Sequence, residues 1–393
     1  MKRTTYHFPR LVALNLLVIL LISCGISYSN NEKENPEPPS MEAAVTSPQK
    51  IMLALLLDTS NSMDGLIEQA KSQLWTIVNE LSAAKCADGT RPEVKIALFE
   101  YGNDGLPSSE GYIRMVTNLT GDLDVISQKL FNLTTNGGDE YCGLVIQKSI
   151  KKLDWSESKA DLKMIFIAGN EPFTQGNLSY QIACNLAKEK DIVVNTIFCG
   201  DFNEGIRTTW KHGADITGGS YMSIGQNQQT VYVNTPYDDK IDRLNDAVNK
   251  TYIQYGRKGK SKKELQLQQD SNAGSYGQAN KAKRSISKSS HIYKNQEWDL
   301  VDAAEEDESI IADADEQYLP EEMKGKTVQQ KKDYVSKQSK KRTVFQKEIR
   351  ELGAKRKQYI AQNQPANDSE NMLDKVMVNS IKKIAKTKNL IFE

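Results

Sequence analysis

Three oxygen-bearing side chains stand at every second position in Asp58-Thr59-Ser60-Asn61-Ser62. Along an extended chain that spacing sends the Asp58 carboxylate and the two serine hydroxyls to one side. A carboxylate with two hydroxyls suits a hard divalent cation such as Mg²⁺, Mn²⁺ or Ca²⁺, which takes oxygen ligands and, for Mg²⁺, keeps several waters. The same residues also serve as helix caps, a frequent duty of Asp and Ser. A second oxygen-rich stretch is Thr134-Thr135-Asn136-Gly137-Gly138-Asp139-Glu140, whose glycines let the backbone approach other groups closely. Asp139 and the threonines are its oxygen donors, and Asp139 is equally suited to cap a following helix.

These residues need elements to hold them. Ile51 to Leu57 is apolar without alternation, the pattern of a strand buried on both faces of a helix-covered parallel sheet. Leu66, Ile67, Ala70, Leu74, Ile77, Val78 and Leu81 then recur at helical spacing. Further buried strands read at Val94–Phe99, Lys163–Ala168 and Asp191–Cys199, with an edge strand at Tyr112–Val116 and a last strand at Tyr221–Ile224. Asp239–Tyr252 reads as the helix that closes the domain. Strands alternating with helices predict an α/β fold with a doubly wound, mostly parallel, Rossmann-like sheet. Such sheets bind ligands beyond the carboxyl ends of their strands, which is where Asp58 stands.

The strand, the Asp-x-Ser-x-Ser-Met run and the amphipathic helix together resemble the start of a von Willebrand factor type A domain. The resemblance implies a metal-ion-dependent adhesion site. Asp58, Ser60 and Ser62 would hold Mg²⁺, Asp139 would complete the set with Thr135 as its alternative, and a partner protein's acidic side chain would take the open position. One departure stands out. The Lys163–Ala168 strand runs into Gly169-Asn170-Glu171, where the family carries Thr-Asp-Gly, so Gly169 occupies an acid's place. That loss keeps a second reading open, a metal-free scaffolding protein. An enzyme is not expected: Ser60 as a nucleophile would need His212 as its base, and no Gly-x-Ser-x-Gly frames it.

Lysine plus arginine and aspartate plus glutamate both number 51 in 393 residues, so the balance offers no argument for nucleic acid. Mean hydropathy of −0.57 is low for one dense globule and predicts solvated helix or linker somewhere. Residues 1–24 read as a signal peptide, with Lys2, Arg3 and Arg10 before the apolar Leu11–Ile22 run. Leu21-Ile22-Ser23-Cys24 resembles a bacterial lipobox. That implies lipid attachment at Cys24 and a lipoprotein held to a membrane of the cell envelope, facing the periplasm or the cell surface. Residues 25–49 then form a tether and 50–255 the type A domain. Residues 256–295 read as a basic low-complexity linker. An acidic patch and a C-terminal helical hairpin follow in 296–393. Cys86, Cys142, Cys184 and Cys199 remain, with three full pairings open. Right-handed crossovers put the helices of Cys142 and Cys184 on one face, which makes that disulfide the first candidate.

Overall fold

A computed structural model describes residues 48–225, 228, 230, 232–363 and 372–392. The apolar run forms β1 (Lys50–Asp58), and the helical repeat after it forms α1 (Asp64–Ser82). Next come β2 (Ala84–Lys85), β3 (Glu93–Tyr101), β4 (Ile113–Thr120), α2 (Leu123–Phe131) and α3 (Cys142–Lys152). Then follow β5 (Leu162–Gly169), α4 (Tyr180–Glu189), β6 (Val193–Cys199), α5 (Phe202–Arg207), α6 (Trp210–Thr217) and β7 (Tyr221–Ile224).

The sheet order is β4-β3-β1-β5-β6-β7. Only β4 runs antiparallel, at an edge. The chain winds outward from β1 to β4, then restarts at β5 and winds the other way. The switch in winding direction therefore lies between β1 and β5. Side chains of β1 alternate between the layers. Ile51, Leu53 and Leu57 pack with α1 and α2, whereas Ala54 and Leu56 pack with α3, α4 and α6. The expected doubly wound α/β sheet is what the chain forms.

Beyond β7 the chain departs from its composition. α7 (Asp238–Asn249) is followed by α8 (Gly259–Ser275) and α9 (Gln278–Lys288), so the expected 256–295 linker is two packed helices. Burial of polar groups explains why composition misled. Arg284 is fully buried, its Nε donating to Asp270 at 3.0 Å and its Nη2 to Asp124 of α2 at 2.5 Å, with the guanidinium 4.4 Å from the Trp75 ring. Lys288 donates to Asp270 at 2.7 Å. A basic, apolar-poor segment is thus fixed by paired charges as well as by the few apolar side chains it buries, Ala273, Ala282 and Tyr293 among them.

α10 (Leu300–Glu306), α11 (Ile310–Asp313), α12 (Val328–Asn363) and α13 (Leu373–Ala385) complete the helices, and β8 (Ile391–Phe392) pairs antiparallel with β2. The expected hairpin of the last two long helices does not form. α12 lies on α7 and α9, whereas α13 lies on α1 and β7. Leu373, Met377, Ile381 and Ile384 join Ile51 and Leu53 in one core. The helix that seals this face of the sheet is therefore α13, not the expected Asp239–Tyr252 segment. Two α1 glutamines hold its start: Gln69 Oε1 accepts from the Leu373 N–H at 3.3 Å and Gln73 Oε1 from Asp374 at 2.7 Å. Deeper along it, Ser380 Oγ donates to Asn195 of β6 at 2.8 Å.

The signal segment, Cys24 and tether residues 25–47 lie outside the described residues. No described helix is long and apolar enough to cross a membrane. The Cys142–Cys184 disulfide is not formed: Cys86, Cys142, Cys184 and Cys199 are all buried free thiols. Cys142 opens α3 and turns its sulfur toward Tyr101 Oη, 3.8 Å away.

Candidate metal centre

β1 ends at Asp58 because Thr59 and Ser60 turn the chain into α1. The Thr59 N–H donates to Tyr101 O at 2.8 Å and the Met63 N–H to Ser60 O at 3.0 Å. Asp58 is wholly buried, and its Oδ1 accepts from the Ser60 N–H at 2.7 Å. Ser60 and Ser62 bring their hydroxyls within 3.3 Å of each other. Asn170, just past the end of β5, donates through Nδ2 to Ser62 Oγ at 3.1 Å. The three sequence-predicted residues of the first loop thus converge at the switch point.

The second loop arrives differently from expectation. The Asn136 N–H donates to Thr59 O at 2.9 Å, which pins the loop against the Asp58 turn. Thr135 Oγ1 donates to exposed Asp64. Asp139 is exposed and accepts from the Tyr141 hydroxyl at 2.9 Å, and it caps no helix. The acid that faces Asp58 is Glu140, which is 5% exposed. A Cβ built on Gly102 would meet both Glu140 Cγ, at 2.7 Å, and Asp58 Oδ1, at 2.8 Å. Gly102, at φ +78°, takes a backbone shape that L side chains avoid and leaves room for the two carboxyls. A signal for Glu140 was present. It stands two residues before Cys142, the buried first residue of α3, so an extended chain turns both inward.

Asp58 Oδ2 and Glu140 Oε2 are buried and accept from no donor. Burial pushes both carboxyls upward. Hydrogen bonding with Glu140 and Ser60 limits the rise for Asp58 to about 6, and the charge on Asp58 drives Glu140 further, to about 9. The charge of each acid therefore makes the other harder to ionise. Exposed Glu171 adds to the repulsion, and among the described residues neither acid is ion-paired.

Gly169 also has a physical reason. A Cβ there would lie 2.5 Å from Tyr101 Oη and 3.0 Å from Asp58 Oδ2. The Tyr101 hydroxyl donates to Ala168 O at 2.9 Å and so holds that space. The acid missing from β5 is matched by an acid from the other side of Asp58. His212, the only base considered for Ser60, bonds Tyr180 Oη through Nδ1 at 2.8 Å.

The strand order, and a carboxylate with two serines at the switch between β1 and β5, decide the fold. It is a doubly wound α/β fold of the kind that the type A resemblance implies. No protein-family profile and no curated protein matches the chain. Similar solved structures include the conserved hypothetical protein BatB from Bacteroides thetaiotaomicron, at 15% identity and TM-score 0.34, spanning 44% of this chain and 90% of that one. The SpRpn10 VWA domain is 19% identical with TM-score 0.33, over 44% and 88% of the two chains. Proximal thread matrix protein 1 from the mussel byssus, solved with a zinc-occupied MIDAS motif, is 13% identical with TM-score 0.33, over 45% and 42%.

Among the described residues no three of His, Cys, Asp and Glu gather as a metal cluster. The site at the switch point mixes carboxylates with hydroxyls instead, and its oxygens fit a hard divalent cation. Two buried carboxylate oxygens have no donor, and two hydroxyls lie beside them.

Proposed function

We propose that this chain is a lipid-anchored cell-envelope protein whose type A domain binds a protein partner through a divalent cation. Asp58, Ser60, Ser62 and Glu140 would hold the ion, with Mg²⁺ or Mn²⁺ the natural occupants of an all-oxygen set. When bound, the ion supplies a positive point for a partner's oxygen, an acid in the type A pattern. The single observation that carries this reading is the pair of orphaned oxygens, Asp58 Oδ2 and Glu140 Oε2, buried beside two hydroxyls. Leaving one oxygen of each buried acid without a donor costs stability unless something else offsets it. Calorimetry of Mg²⁺ and Mn²⁺ on the full chain tests it. Heat that disappears in Asp58→Ala supports the proposal. No heat in either protein favours the metal-free scaffold, for which Gly169 speaks. Palmitate incorporation lost in Cys24→Ala tests the anchor. No reaction is proposed: Ser60 bonds Ser62 and His212 bonds Tyr180.

A further inference from the structure

The charge around the centre says what kind of partner reaches it. Asp64, Asp104, Asp139 and Glu171 are all exposed. Each sits on a segment already tied to the site. Asp64 accepts from Thr135. The Asp104 N–H donates to Gly137 O at 2.5 Å. Asp139 adjoins Glu140, and Glu171 follows Asn170, the residue that bonds Ser62. None of the four is ion-paired among the described residues, although nearby acids such as Glu100, Glu110 and Glu204 each have a cation. Beneath this rim lie the donorless oxygens of Asp58 and Glu140, whose two carboxylates already match the charge of a divalent ion. A lone acid from a partner would therefore face a negative rim around a neutralised centre. The chain as a whole carries no net charge, so the rim is a local feature.

We infer that this face is an interaction surface for a basic protein segment, whose lysine or arginine side chains pair with Asp64, Asp104, Asp139 and Glu171. An acid or carbonyl of the same segment then reaches the ion from among those cations. The inference rests on the cation-dependent reading for that last contact only; the rim contacts stand without it. Unlike charges placed this way set specificity and association rate more than raw affinity.

The test uses fluorescein-labelled probes on the full chain, with and without Mg²⁺, read by anisotropy. One probe is Lys-Gly-Lys-Gly-Asp-Gly-Lys-Gly-Lys, and its counterpart has every lysine replaced by glutamate. The basic probe should bind at least about tenfold tighter than the acidic one, as complementary charge pairs imply. The triple variant Asp104→Asn, Asp139→Asn, Glu171→Gln should lose that preference, whereas neutralising Asp313 and Glu305, remote from the rim, should keep it. Equal or better binding of the acidic probe overturns the inference, as does a triple variant that binds like the parent. Rim-dependent binding of the basic probe in a protein that gives no heat with Mg²⁺ upholds the inference and overturns the cation reading. Mg²⁺ heat with no basic preference does the reverse.

Discussion

The hydroxyl of Tyr101 stands where a side chain on Gly169 would begin, 2.5 Å from the position its Cβ would take. Restoring the family's acid here should therefore fail. Gly169→Asp is expected to cost about 1–3 kcal/mol, the range of overpacked cores, because Tyr101 is fully buried and bonded to Ala168 O. It should not tighten cation binding. Urea denaturation and calorimetry on the same variant check both halves, and a stable, tighter-binding Gly169→Asp would refute the account of Tyr101.

Glu140, rather than Asp139, supplies the second acid. Glu140→Gln should weaken Mg²⁺ or Mn²⁺ at least about tenfold, matching what the loss of even outer partners costs at other metal sites. Asp139→Asn should leave that affinity where it was. Titration calorimetry on the two single variants separates them, and an inverted result would return Asp139 to the site.

α13 seals the sheet, so its apolar face carries domain stability. Ile381 is 1% exposed in the main core. Ile381→Ala should cost about 2–5 kcal/mol, the span for large-to-alanine changes in packed interiors. An exposed control on the same helix, Lys383→Ala, should move the urea midpoint little. If both behave alike, α13 does not belong to the core.

Arg284 is buried between Asp124 and Asp270. Arg284→Met removes the charge that both acids need and should cost about 3–5 kcal/mol, as breaking a buried pair does. The double change Arg284→Met, Asp124→Leu, which leaves Asp270 paired with buried Lys288, should recover part of it. Equilibrium unfolding of both proteins gives the comparison, and equal losses would contradict pairing as the cause.

His291 gives a pH signature. Burial, with Arg91 and Lys294 adding repulsion, pulls its imidazole down from 6.5 to about 4. Between those values the unfolded chain binds a proton that the folded chain refuses. Its contribution to stability is complete above pH 6.5 and declines as pH falls toward 4. Urea midpoints taken across that window should slope less in His291→Leu than in the parent. Parallel profiles would remove His291 from the explanation.

How much of this was legible in the sequence varied with the physics. The unbroken apolar run at Ile51–Leu57 can only be a two-faced interior strand, and the every-second-residue oxygens of Asp58, Ser60 and Ser62 follow from it. Periodicity found α1 within a couple of residues. The second loop was harder, because Asp139 and Glu140 are adjacent acids and only direction of entry into α3 tells them apart. Residues 256–295 looked solvated because their core contacts are charges: Arg284, Lys288 and Asp270 count as polar in any composition. The role of α13 depends on a contact across some 300 residues, Gln69 to Leu373, which local pattern does not report.

That last contact has a bearing on how the protein is made. The helix lying over β6 and β7 is encoded well after both strands, so a growing chain presents Ile197 and Ile224 only partly covered until residues 373–385 have been made. Closure of the sheet therefore waits on synthesis of residues 373–385, and a ribosome stalled before residue 373 leaves behind a sticky, half-clad product.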